Sequence, residues 1–143
     1  MTTNLHFLTP MLVLVAWTLV LWVWMYATRL PAMSAARIDP QDAAHHGSWE
    51  SRIPSRVRAV ADNYNHLHEQ PTIFYALMFF AVLTGGADSL SLTLAWAYVA
   101  LRVVHSAIQA TVNRVVWRFS VFSIGSIVLM VFTVRQLLRL GTG

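Results

Sequence analysis

One stretch constrains this chain more than any other: the apolar run from Leu5 to Ala27, which from Met11 onward has Thr18 as its one small polar interruption. At 1.5 Å per residue such a run crosses a hydrocarbon layer of roughly 30 Å, so it predicts a transmembrane helix. A cleaved signal peptide is the competing reading. The run has no basic segment before it, is too long for an h-region and is followed by Arg29, Leu30 and Pro31, so retention in the membrane is expected. Three further segments complete the pattern. A second helix, over 55–84, is polar in its first half and apolar from Ile73 to Leu83; a third covers 90–110 and a fourth 115–138. The expected architecture is a single all-α domain over 1–143, an integral membrane four-helix bundle. Pro71 lies inside the second helix, where it removes one backbone bond and crowds the carbonyl of Leu67, so a kink is predicted there.

Composition agrees. Hydrophobic residues make up 57% of the 143 and charged residues 11%, against about 25% charged in a soluble domain. The absence of cysteine excludes disulfides, thiolate metal sites and a cysteine nucleophile. Ten basic residues, all Arg, face six acidic ones, and they are scattered between apolar segments rather than gathered on one polar face, so a nucleic-acid partner is not expected. Between the first two helices, 28–54 reads as a long polar loop with Pro31, Pro40 and Pro54. That loop, the short turn after the third helix and the adjoining helix ends hold seven arginines, whereas the opposite side holds only Arg135 and Arg139. The positive-inside rule puts the arginine-rich side in the cytoplasm and both termini on the periplasmic side of a bacterial inner membrane.

Two polar stripes interrupt the apolar pattern. Arg58, Asp62, Asn65, His66 and Glu69 fall within about 120° of arc on the second helix, and charges entering a bilayer belong against other helices or a wet cavity. The plainer reading is a helix end standing in water. On the third helix, Arg102, His105 and Gln109 share one face with Ser106 at its edge, an internal polar seam whose plainer role is to bond helix to helix. Arg118, near the start of the fourth helix, either joins that seam or anchors the helix at the interface. No metal site is predicted: His66 and His68 point about 200° apart, and the pair His45 and His46 has no companion ligands at metal spacing. Ser120, Ser123 and Ser126 form a small-residue stripe suited to close helix packing.

The run from Asn63 to Tyr75 (NYNHLHEQPTIFY), together with Arg102, His105, Ser106, Asn113, Arg118 and Phe119, resembles the helix-two and helix-three signatures of the MAPEG superfamily, the membrane-associated proteins of eicosanoid and glutathione metabolism, in its bacterial branch. The resemblance covers nearly the whole chain. It implies a homotrimer that binds glutathione, as cosubstrate, between neighbouring subunits near the cytoplasmic side and acts on lipophilic small molecules as a membrane-bound transferase or peroxidase. By position, Asn65 and Glu69 match the residues that hold the peptide and His105 the helix-three histidine; Arg118 matches the arginine beside the glutathione sulfur and is the candidate catalytic residue. Arg58, Arg102 and Gln109 complete the candidate binding set, since a ligand with two carboxylates and an ammonium group needs forked cations and a carboxylate.

Two rival classes remain. One is a non-enzymatic membrane protein whose polar seams serve trimer packing or hold membrane lipids; it rests on Gln109 standing where catalytic relatives often have Tyr, and on Ala61, Asp62 and Asn63 in place of the RAHxN pattern. The other is a small transporter, which would need a membrane-embedded carboxylate that the first helix lacks.

Overall fold

Lipid leaves the backbone no hydrogen-bond partner but itself, and in the computed structural model, which describes residues 6–44 and 47–141, every regular element is a helix. His45 and His46 lie outside the described residues. The order is α1 (Thr9–Ala35), two short 3-10 turns at Asp42–Ala44 and Ser48–Arg52, α2 (Ser55–His66), α3 (Gln70–Leu83), α4 (Ser89–Ala110) and α5 (Val115–Gly141). Three of these, α1, α4 and α5, are long and apolar enough to cross a membrane. α4 packs chiefly on α5, and α1 on α2 and α4. Their shared core draws Leu14 and Leu21 from α1, Val60 and Leu67 from α2 and its end, Phe74 and Met78 from α3, Tyr98 from α4 and Phe132 from α5.

The expected boundaries shift in two places. The first helix does not stop at residue 27 but continues through Pro31 to Ala35. A proline inside a helix costs about 3 kcal/mol, and what offsets it is packing beyond the proline. Ala32, Met33 and Ala36 lie against a satellite core of Ile38, Trp49, Ile53 and Val57, and each fully buried side chain of this size is worth roughly 1.5–3 kcal/mol. The helix then closes in a Schellman turn: the Ile38 amide reaches the Met33 carbonyl and the Arg37 amide that of Ser34, with Arg37 in the left-handed region at φ 51°. Arg52 donates to the carbonyls of Ala36 and Arg37 just beyond the helix C-terminus, and the Arg29 guanidinium lies 4.9 Å over the Trp49 ring. The segment read as a polar loop therefore folds around an apolar centre of its own.

The second helix is broken rather than kinked. α2 ends at His66, tight turns carry the chain through Leu67 to Glu69, and α3 restarts at Gln70 with Pro71 in its first turn, where a missing N–H costs nothing. With 14 residues, α3 rises only about 21 Å, so α2 and α3 together make the remaining passage.

At the far end α3 closes on Gly85, which takes φ 72°, and Gly86 sits so close to α5 that a Cβ there would meet the Gln136 side chain at 2.0 Å. Gln136, buried, donates to the Gly86 carbonyl and the Ser91 hydroxyl. Asp88 caps α4 by accepting from the Ser91 amide at 2.9 Å, and it also accepts from Arg135 and Arg139. Burial alone would raise its pKa, but the Ser91 and Arg135 hydrogen bonds outweigh burial and bring it down to about 2 from 3.8. A depressed carboxyl stabilises the fold above its unfolded pKa and loses that contribution as pH falls through the folded value. Thermal melts in detergent should therefore show the wild type losing its advantage over Asp88→Asn between pH 4 and pH 2; parallel curves for the two proteins would contradict the role given to Asp88.

Candidate functional site

The polar face of α4 points inward. Tyr98, Arg102, His105, Ser106 and Gln109 are all buried, at spacings of three and four residues that put them on one side of the helix. Neighbouring helices meet this face with polar groups of their own. The Arg102 Nε donates to the Tyr98 hydroxyl at 3.0 Å, that hydroxyl donates to Gln70 Oε1 at 3.4 Å, and Gln70 Nε2 donates to Ser126 Oγ at 2.9 Å. Ser126 in turn donates to the Phe122 carbonyl of its own helix. Three helices, α3, α4 and α5, are thus joined by one directed chain of hydrogen bonds. Such chains specify packing inside a membrane, where each link is worth about 1 kcal/mol.

Arg102 is the unusual member. Its residue is 2% exposed, its Cζ lies 4.8 Å from the centre of the Phe122 ring and 5.2 Å from that of Tyr98, and its Nη1 and Nη2 are buried with no hydrogen-bond acceptor among the described residues. Two aromatic faces soften the charge but supply no lone pair in the plane of the fork. A guanidinium in this setting is complementary to an anion that the described residues do not provide.

Phe122 is the hub of the site. Besides Arg102, it stacks on His66 at 5.3 Å and lies 5.9 Å from His105, while the two histidine rings are 5.1 Å apart. His66 Nδ1 is 2.6 Å from Glu69 Oε2, so the carboxylate fixes the orientation of the ring that faces His105. Arg118 stands at the start of α5, partly exposed, donating to Asn113 Oδ1 at 2.8 Å and within electrostatic reach of His105. Asn113 itself takes φ 49° in the turn that closes α4.

Of the residues singled out from the sequence, Arg102, His105 and Gln109 lie inside the seam, Glu69 joins it through His66, and Arg118 borders it. Arg58 and Asn65 are exposed and do not share it; they line a separate hollow of about 220 Å³ with Arg29, Trp49, Glu50 and Asp62. The α2 stripe thus divides, with Arg58, Asp62 and Asn65 facing this hollow and His66 and Glu69 facing the seam. Buried Val60, Asn63 and Leu67 define the inner face of α2, and Arg58, Asp62 and Asn65 turn away from it. His66 falls between the two faces and is the member that reaches the seam.

Asn63, Tyr98, Gln70 and Phe122 carry much of the geometry without having been assigned a role from the sequence. Tyr98 was within reach, one turn before Arg102 on the same face. Asn63 had its own signal, lying between Val60 and Leu67 at three- and four-residue spacing. It donates to Gln109 Oε1 at 3.0 Å, and both residues are buried. Gln109→Leu leaves the Asn63 amide without its acceptor and should cost about 1–3 kcal/mol, whereas Asn63→Leu/Gln109→Leu should recover much of that loss. Thermal unfolding of the four proteins of this cycle measures the coupling; simple additivity would show that the pair is not an energetic unit.

No curated protein and no solved structure matches the chain. The MAPEG family model matches residues 7–138, nearly the whole length and every element of the seam. With four helical passages, three of them apolar enough to span a bilayer, and that match, the chain is a membrane protein belonging to the MAPEG family.

Proposed function

We propose that this protein binds glutathione, or a similar thiol peptide, between neighbouring copies of a homotrimer and uses it to conjugate or reduce lipophilic substrates that arrive through the bilayer. The observation that carries this reading is the buried Arg102 fork, whose two terminal nitrogens have no acceptor among the described residues. The donor set fits the ligand: forked cations at Arg102 and Arg118 suit its anionic groups, and the Glu69 carboxylate suits its ammonium group. The family model spans all of these residues. Arg58 and Asn65, exposed on the outer face of α2, are available to a ligand lying between copies. In a bacterial inner membrane with both termini periplasmic, this end of the bundle faces the cytoplasm, where free thiols are kept reduced.

Bound glutathione supplies the nucleophilic sulfur, which suits a chain without cysteine. The protein's part is electrostatic. A guanidinium held beside a thiol favours its ionised form and lowers its pKa from about 8.5. Phe122 and Tyr98 exclude water around Arg102 and so strengthen its field. Glu69 holds the His66 ring against His105, which keeps the wall of the site in one arrangement. A non-enzymatic role, with the seams serving trimer packing or lipid binding, is favoured by one observation: Gln109 spends its oxygen on Asn63.

Two measurements separate these readings. Titration with glutathione, followed by thiolate absorbance, should show saturable binding to the wild type, with Arg118→Ala losing thiolate formation more than affinity; no binding at millimolar ligand ends the glutathione reading. Arg102→Met should abolish binding and yet raise the thermal midpoint of the ligand-free protein by roughly 2–5 °C, because it removes a buried charge lacking an acceptor. A lowered midpoint would mean that Arg102 is a packing residue.

A further inference from the structure

We propose that His66 is a proton relay, carrying the thiol proton of bound glutathione from His105 out to water by way of Glu69. This relay rests on the glutathione reading above and goes beyond it in giving the proton a way out of the site.

The need for a base is chemical. A guanidinium beside a thiol stabilises the thiolate, but it is already fully protonated and has no lone pair to receive the proton. Arg102 and Arg118 can therefore hold the anion and cannot make it. His105 stands within reach of both: Arg102 lies one turn before it on α4, and Arg118 faces it from the start of α5. Its imidazole can take the proton. The residue is 3% exposed, however, so a proton received there has no direct way into water.

His66 supplies that way. Its ring centre is 5.1 Å from that of His105, and both rings pack on Phe122, which keeps them side by side. Rotation of either ring, or one bridging water, closes the gap. On its other side His66 Nδ1 meets Glu69 Oε2 at 2.6 Å. Exposure rises along the series, from 3% at His105 to 24% at the His66 side chain and 66% at that of Glu69. The field runs the same way. Two guanidiniums repel a positive charge on His105, while the Glu69 carboxylate attracts one on His66.

The transfer balances without a further reactant. The S–H bond breaks as an N–H bond forms on His105, and the electron pair stays on sulfur. The imidazolium then passes a proton to His66 Nε2, the nitrogen turned away from Glu69, and His66 releases its Nδ1 proton through Glu69 to water. Both rings end neutral, leaving one thiolate in the site and one proton in solvent.

The test is stopped-flow mixing of the detergent-purified full chain with glutathione, reading thiolate absorbance together with proton release to an indicator dye. His66→Phe keeps a flat ring against Phe122 and should bind glutathione as the wild type does. It should form thiolate about tenfold more slowly or worse, since a positioned proton-transfer group contributes roughly 10²–10⁴-fold. His66→Ala should be equally slow and should be accelerated by added imidazole, which enters the vacated space and carries the proton; a packing role gives no such rescue. Thiolate formation at the wild-type rate in His66→Phe, or a slow His66→Ala that imidazole leaves slow, overturns the relay while glutathione binding stands. Absence of binding to the wild type overturns the relay together with the reading beneath it. If neither variant folds, the wild type decides alone: its thiolate formation should slow in deuterium oxide, and an unchanged rate overturns the relay.

Discussion

A guanidinium cannot be left in hydrocarbon, and most of what is distinctive in this structure follows from where Arg102 has been put. Placed two-thirds of the way along a largely apolar helix, it is enclosed with the help of two other helices, α3 and α5. Tyr98 accepts from its Nε, Phe122 covers one face, and Gln70 and Ser126 extend the hydrogen-bonded chain to α3 and α5. Remove the enclosure and the charge faces acyl chains, at a cost of several kcal/mol. The enclosure still leaves two terminal nitrogens without acceptors, so the site is stable enough to form and incomplete in one defined respect.

The break between α2 and α3 serves this arrangement. A continuous helix through Leu67–Glu69 would carry its residues past one another at a fixed 100° per residue. Glu69 pairs with His66 three residues back, and the interruption makes Gln70, one residue later, the start of a new helix aimed at Ser126 and Tyr98. Two consecutive residues thereby reach two different parts of one site. Pro71 makes the restart inexpensive, because the first turn of a helix has no use for its missing N–H.

How much could be read beforehand depended on whether a residue's neighbours were local. The α4 seam was legible because Arg102, His105 and Gln109 share one face of an apolar helix, and polar side chains at membrane depth have only the protein to turn to. The α2 stripe left two surroundings open, a cavity or water, because the charges of a polar helix suit either; the packing of Val60, Asn63 and Leu67 decides which face is inside. The continuation of α1 past Pro31 was invisible for a related reason. It depends on Trp49, Ile53 and Val57, well over ten residues further on, and on Arg37 taking a left-handed conformation more often given to glycine. Asn63 and Gln109, 46 residues apart, were each readable as polar but not as partners.

The most direct measurement is an experimental structure of the full chain in lipid nanodiscs with glutathione present. An oxygen or sulfur of the ligand should lie within hydrogen-bond distance of Arg102 Nη1 or Nη2, with His105 and Phe122 at the wall of the same space. If those two nitrogens instead bond to a side chain of a neighbouring copy, Arg102 is part of the packing between copies and the glutathione site is not where this geometry puts it.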